Sequence, residues 1–236
     1  MAAFNPVEYW SCGSGAMDFS FKESPIPDDM DMSPVTVLLF GHSFIHRLAT
    51  YIDNNPRFFN LGIDTRQASV NYYGWGGAKV ATLLQKQHFS QIDKVKPEIV
   101  FIQVGTCDLC TLNKGPEVVG DDIHKLALKI LNKGVRRVIV GQILFRAEAG
   151  KPDGMSLVDF NKKVQTCNSY LDAVVNDTPR ALFWHHYGFW KDHEAVLDSK
   201  DGTHLNDAGM YKFYKSMRGF LIPLVKRFRP SIRPNK

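Results

Sequence analysis

The run VTVLLFG at residues 35–41 is the stretch that decides the fold. It is short, almost entirely apolar, and it ends at Gly41. Such a run is typical of a β-strand buried on both faces, because a strand with one face in water alternates apolar and polar residues. Strands of this kind occur mainly in parallel sheets that helices cover on both sides. The run therefore predicts an α/β protein.

Four more strand candidates follow this run, and each precedes an amphipathic helical pattern. They are SVNYYG from residue 69, EIVFIQVG from residue 98, VRRVIVGQI from residue 135 and ALFWHH from residue 181. Apolar strands that alternate with helices predict a parallel sheet, and right-handed crossovers restrict its topology to a doubly wound α/β sandwich. We therefore expect five parallel strands between two layers of helices.

Length and composition favour a single domain. The chain has 236 residues, of which 44% are hydrophobic and 22% are charged, as in ordinary globular proteins. We place the domain at residues 35–228, after an irregular leader at residues 1–34 that lacks a sustained period of 2 or 3.6. A basic tail at residues 229–236 contributes to the net charge of +5. A solvated terminus is the favoured interpretation of this tail, and nucleic acid is a weakly supported partner.

Cysteine usage and the N-terminal sequence bear on the compartment. Cys12, Cys107, Cys110 and Cys167 are too few and too irregularly spaced to form a disulfide framework. The first residues lack the pattern of a signal peptide, and no apolar run approaches the ~20 residues of a membrane span. We therefore expect a cytoplasmic or other intracellular protein without a membrane span.

Small and reactive residues follow three of the predicted strands. In parallel sheets the ligand site lies at the carboxyl ends of the strands, so these residues are the first candidates for chemistry. Ser43 stands at a strand-to-helix turn, where its hydroxyl is exposed and its N–H can stabilise an oxyanion. Gly77, in a glycine-rich turn, is the second oxyanion donor that we favour. The three segments after strands are Gly41-His42-Ser43, Gly74-Trp75-Gly76-Gly77 and Gly105-Thr106-Cys107-Asp108. A fourth candidate segment, Asp201-Gly202-Thr203-His204, precedes the last helix.

The Asp201 and His204 pair complements Ser43. Two residues separate them, so the carboxylate can hold the imidazole while the other ring nitrogen faces a serine from a distant segment. Taken singly, each of the three has a more common structural role, and serine in particular is a good helix N-cap. Trp75, Phe145 and Arg146 also follow strands and are candidates for the substrate wall.

The segment Cys107-Asp108-Leu109-Cys110 leaves another chemistry open. If the fold brings His42, His46 and His204 close to it, this CxxC would suit thiol redox chemistry or a zinc site. A lone CxxC is a weak signal, and no second ligand pair has metal-like spacing. We therefore expect no metal and no cofactor.

In order, the blocks GHSF, GWGG, GTCD and DGTH resemble those of the SGNH (GDSL-like) hydrolases. NYYGWGGAKVATLL and KPEIVFIQVGT look most like the platelet-activating-factor acetylhydrolases of that family. The resemblance implies a flavodoxin-like fold and an esterase, lipase, thioesterase or acetylhydrolase activity. It also implies Ser43 as nucleophile, Gly77 as oxyanion donor, and Asp201 with His204 as the rest of a triad.

The sequence departs from the family pattern at two positions. His42 replaces the aspartate that usually follows the first glycine, and Cys107 replaces the asparagine whose amide normally donates to the oxyanion. A thiol is a weak donor. The prediction is a serine esterase or acyl hydrolase that cleaves a small ester through an acyl-enzyme. The alternative is a weak or inactive SGNH-like binding domain, of the kind that some mobile-element proteins carry.

Overall fold

The architecture is a five-stranded parallel sheet between two layers of helices. The structure, a computed structural model, describes residues 33–189 and 193–228. Nearly all of the predicted leader and all of the predicted basic tail lie outside these residues, so those domain boundaries stay predictions. The strands are β1 (Val35–Gly41), β2 (Ala68–Gly74), β3 (Ile99–Gln103), β4 (Arg137–Gly141) and β5 (Ala181–Trp184).

Strand order confirms the predicted doubly wound, flavodoxin-like sheet. The order is β2-β1-β3-β4-β5, and all four pairings are parallel. The chain moves from β1 outward to β2 and then crosses to β3 on the other side of β1. The carboxyl ends of β1 and β3 therefore flank the point where the strand order reverses, which is where ligands bind in such sheets.

Helices cover both faces of this sheet. The α-helices are α1 (Ser43–Asp53), α2 (Val80–Leu83), α3 (Lys86–Val95), α4 (Thr106–Leu109), α5 (Pro116–Leu131), α6 (Leu157–Asn176) and α7 (Asp207–Phe228). The 3₁₀ helices within the described residues are Pro56–Gly62, Glu148–Gly150 and His193–Val196. No helix within the described ranges has the length and apolar character that crossing a bilayer requires.

The alternation of side chains along β1 divides the core into two parts. Val37 and Leu39 pack with α1 and α7 on one face. Leu38 and Phe40 pack with α3, α5 and α6 on the other. Because successive strand residues point to opposite faces, an almost unbroken apolar run is what a sheet with helices on both sides requires.

The pattern AKVATLLQKQHF forms two helices, not the single helix that the sequence suggests. The break falls at Leu84 and at Gln85, whose backbone is extended. Val80, Phe89 and their neighbours Leu83 and Ile92 all lie in the same core cluster. In one straight helix Phe89 would lie about 180° around the axis from Val80. The break turns both apolar faces towards the sheet.

The last helix carries a stripe of apolar and aromatic residues whose spacing predicts a face buried on the sheet: Tyr211, Phe213, Tyr214, Phe220 and Leu224. Phe213, Tyr214, Phe220 and Leu224 are buried, whereas Tyr211 is 43% exposed. The prediction that Tyr211 belongs to the core is therefore wrong. Tyr211 lies at the edge of the buried face, and its ring stacks on Tyr214 with centroids 6.1 Å apart.

Candidate active site

Ser43 is the first residue of α1, directly beyond the end of β1. It is not the N-cap of that helix, so the capping interpretation of Ser43 is wrong. The cap is His42, whose Nδ1 accepts a hydrogen bond from the Phe44 N–H at 3.3 Å. Because His42 provides the cap, the Ser43 hydroxyl is free to bond elsewhere.

A chain of hydrogen bonds joins Ser43, His204 and Asp201. The Ser43 Oγ lies 3.0 Å from His204 Nε2, and His204 Nδ1 lies 2.7 Å from Asp201 Oδ2. Ser43 and His204 are 161 positions apart in the chain, and both lie at the carboxyl edge of the sheet. The structure thus brings together the three residues that the sequence singled out as nucleophile, base and orienter.

Asp201 is held as a carboxylate. Partial burial raises its pKa, but hydrogen bonds from the backbone N–H groups of His204 and Thr203, and from the His204 ring, outweigh burial and bring the pKa to about 2. An ionised carboxylate accepts hydrogen bonds only, so it fixes the proton of the imidazole on Nδ1. Nε2 is then left as the acceptor for the Ser43 hydroxyl.

The turn that follows β2 lies beside Ser43. Trp75 N–H donates to the Gly41 carbonyl at 2.9 Å, which ties this turn to the end of β1. A Cβ at Gly74 would lie 2.2 Å from the backbone nitrogen of His46, so only glycine permits this approach of β2 to α1. Gly77 has a φ of +67° and open space around it. Its N–H and that of Ser43 have no hydrogen-bond partner among the described residues.

Cys107 lies in the first turn of α4, at the carboxyl end of β3. Burial raises the pKa of its thiol, while the charge of Arg146 acts in the opposite direction. Cys107 and Cys110 are both free, and Cys110 Sγ donates to the Thr106 carbonyl at 3.2 Å. Within residues 33–189 and 193–228, no three His, Cys, Asp or Glu side chains are grouped to hold a metal.

The three candidate wall residues differ in exposure. Trp75 is 52% exposed, and its ring centroid lies 4.9 Å from that of His88. Phe145 is half-buried. Arg146 is only 9% exposed, and it donates to the Gly150 carbonyl at 3.0 Å and to Thr106 Oγ1 at 3.3 Å. Contact of any of the three with a substrate stays a prediction.

A family match now adds to this geometry. Residues 39–212 match the GDSL-like lipase/acylhydrolase family. The chain belongs to this family. The predicted membership of the SGNH (GDSL-like) hydrolases is confirmed, because the matched range contains all four sequence blocks.

Solved structures share the fold of this GDSL-like chain at low sequence identity. A GDSL-like lipase from Bacteroides thetaiotaomicron is 19% identical with a TM-score of 0.55, over 81% of this chain and 88% of that one. A carbohydrate esterase of family 3 from Talaromyces cellulolyticus is 16% identical with a TM-score of 0.59, over 82% and 99%. A Streptococcus pneumoniae protein provisionally named a platelet activating factor is 16% identical with a TM-score of 0.60, over 82% of this chain and 86% of that one. No curated protein sequence matches the chain.

Sequence reasoning missed a buried polar network beneath the site of this GDSL-like protein. His186 is fully buried, with Nε2 3.0 Å from Gln103 Oε1 and Nδ1 2.9 Å from Ser216 Oγ. Gln103 in turn donates to the Gln142 carbonyl at 2.9 Å. Glutamine at the end of an otherwise apolar strand was the available signal. The network fixes the carboxyl ends of β3 and β4, from which the Cys107 and Arg146 loops begin.

Two buried histidines predict that acid destabilises the fold. Burial holds the pKa of His42 and of His186 at about 3, against an ordinary value of 6.5. The unfolded chain therefore takes up protons below pH 6.5 that the folded chain does not, so stability is lost as the pH falls from 6.5 towards 3. Each histidine lowers the free energy of unfolding by up to about 1.4 kcal/mol per pH unit.

Urea unfolding at several pH values between about 7 and 5 measures this slope. His186→Gln keeps a polar side chain and removes one titrating group, so we expect a shallower slope than in the wild type. An equal slope in the variant would contradict the assignment of His186 as a neutral buried group.

Proposed function

We propose that this chain is a serine ester hydrolase that works through an acyl-enzyme. The observation that carries the proposal is the hydrogen-bonded chain from Ser43 through His204 to Asp201. Membership of a family of lipases and acylhydrolases supports the same conclusion at the level of the reaction class. The proposed substrate is a small ester that contacts the side chains of Trp75 and Phe145.

The proposed reaction has two steps. Ser43 Oγ attacks the ester carbonyl carbon while its proton passes to His204 Nε2, and the N–H groups of Ser43 and Gly77 stabilise the oxyanion. The C–O bond to the alcohol breaks, and His204 returns the proton to the leaving alcohol. Water then attacks the acyl-Ser43 ester with His204 as base, which releases the carboxylic acid and restores the serine. Asp201 keeps the imidazole oriented throughout.

The test is steady-state hydrolysis of p-nitrophenyl esters of increasing acyl length, together with covalent labelling by a fluorophosphonate probe. We expect turnover, and a label that peptide mapping locates on Ser43. A folded protein that neither turns over any ester nor takes the label would overturn the proposal. The better hypothesis would then be a binding domain, for which salt-sensitive binding to a nucleic acid is the first measurement.

Cys107 gives a gain-of-function prediction. Losing one oxyanion donor costs about 10²–10³ in kcat in a well-studied hydrolase. Cys107→Asn is expected to restore an amide donor and to raise kcat for p-nitrophenyl acetate by about tenfold or more. Cys107→Ala is the matched control, since it removes the thiol and adds no donor. If kcat rises equally in both variants, the cause is the removal of the thiol and not a new hydrogen-bond donor.

A further inference from the structure

Arg146 is a buried positive charge without a carboxylate partner in residues 33–189 and 193–228. Its guanidinium stays protonated in a protein, and the residue is 9% exposed. No Asp or Glu oxygen in the described parts of the chain lies within 4.0 Å of it. Its contacts are the Gly150 carbonyl, Thr106 Oγ1 and the Phe160 ring, whose centroid lies 4.7 Å away. A buried charge held only by neutral groups is costly, so its retention calls for a compensating negative charge.

One nitrogen of this guanidinium is also unsatisfied. Arg146 Nε is buried and has no hydrogen-bond partner among the described residues. Buried N–H groups are nearly always paired, and an exception requires an explanation. The backbone of Arg146 is rigidly held, since its N–H donates to Asn161 Oδ1 and its carbonyl accepts from Asn161 Nδ2, both at 3.0 Å. The side chain is held by its own bonds to the Gly150 carbonyl and Thr106 Oγ1, which leave Nε without a partner among the described residues.

This charge lies between the loops that carry the site. Thr106, which accepts from Arg146, directly precedes Cys107. The next residue, Ala147, donates its N–H to the Gly202 carbonyl at 2.8 Å, within the loop that carries Asp201 and His204. After burial and His204, the charge of Arg146 is a further cause that lowers the pKa of His42. Its field thus reaches both Cys107 and the residue before Ser43.

Cys107 stands where the family has an amide donor, and it cannot replace that donor. Its thiol donates weakly. A neutral ester carbonyl gains little from a nearby cation, whereas the oxyanion of the tetrahedral intermediate gains much in a site of low dielectric constant. A fixed cation is therefore paired with an opposite charge mainly in the transition state, which is the condition for raising kcat.

We propose that Arg146 supplies the positive charge that stabilises the acyl oxyanion in this chain, compensating for the amide donor that is absent at Cys107. The inference rests on the proposed esterase function. The charge acts through space, from the place where Arg146 donates to Thr106 Oγ1. The other occupant that would satisfy a buried cation is an anionic group of the substrate, and the experiment separates the two.

The experiment compares Arg146→Gln and Arg146→Lys with the wild type on p-nitrophenyl acetate, which is neutral, and on mono-p-nitrophenyl succinate, which is anionic. We expect Arg146→Gln to lower kcat for both esters by about 10- to 100-fold while KM changes less than about twofold. Arg146→Lys, which keeps the charge, should recover most of the loss. Arg180→Gln is the matched control, because Arg180 is a half-buried arginine at the amino end of β5 that also donates to a carbonyl.

The same substitution in a Cys107→Asn background isolates the proposed compensation. Once the amide donor is restored, we expect Arg146→Gln to cost less than about fivefold, which would reveal coupling between the two positions. Equal losses in both backgrounds, or an unchanged kcat in an active Arg146→Gln variant, would overturn the inference and leave the esterase proposal standing. A rise in KM confined to the succinate ester would assign the charge to substrate binding instead and overturn it as well.

Folding is checked by circular dichroism and thermal melting of each variant. If Arg146→Gln does not fold, Arg146→Lys decides: kcat within about tenfold of the wild type supports a role for the charge, and a larger loss in the folded variant overturns it. If the wild type turns over neither ester, both proposals are overturned. If only the Arg146 inference is wrong, the wild type is still active.

Discussion

Ser43→Ala is expected to lower kcat for p-nitrophenyl acetate by about 10⁴-fold or more, to the level that binding and the oxyanion donors supply alone. The reason is that the covalent step needs an oxygen nucleophile 3.0 Å from His204 Nε2. Removing one hydroxyl at the start of α1 should leave the fold intact, because the cap of this helix is His42. Initial rates at matched protein concentrations, determined by absorbance, measure the effect.

Ser90→Ala is the matched control for this experiment. Ser90 also lies on a helix, and its hydroxyl donates to the Gln87 carbonyl at 3.3 Å and not to Ser43, His204 or Asp201. We expect full activity from this variant. Retention of more than about a tenth of wild-type kcat in Ser43→Ala would show that the nucleophile is another group.

Asp201→Asn is expected to lower kcat by about 10³–10⁴-fold with little change in stability. The amide still offers an oxygen to the N–H groups of Thr203 and His204, which Asp201 Oδ1 accepts at 2.8 Å each. It no longer fixes the proton of His204 on Nδ1, so Nε2 loses its role as base. The wild-type carboxyl, with a pKa of about 2, is ionised throughout the range from about pH 6 to pH 9, so its own titration does not enter the comparison.

The control for this second variant lies in the same loop. The Asp198 carboxylate accepts from the Lys200 N–H at 2.9 Å. Asp198 contacts His204 through its backbone N–H, which donates to the His204 carbonyl at 2.7 Å and which the substitution keeps. Asp198→Asn should therefore keep wild-type kcat. A similar loss in both variants would point to disturbance of the loop rather than to the lost orientation of His204.

Much of the architecture could be predicted from local patterns in the chain. The apolar run of β1 required a sheet covered on both faces, and the alternation of strands with helices required parallel pairing. Those two features place Ser43, Gly77 and Cys107 at the carboxyl edge before any coordinates are known. The pairing of Asp201 with His204 depends on a three-residue spacing, which is also local.

The long-range features of the site required the tertiary structure. Only the fold shows that His42 caps α1, that the α2–α3 segment breaks at Gln85, and that His186 is buried with Gln103. The burial of Arg146 and its contact with Thr106, 40 positions away, are equally invisible in the sequence. A period of 2 or 3.6 is set by neighbouring residues, so the sequence by itself determined the strands, the helices and the edge that carries the site. Burial and unpaired charge depend on what distant segments bring within a few ångströms, so the tertiary structure alone decided which polar groups are satisfied and which are left free to act.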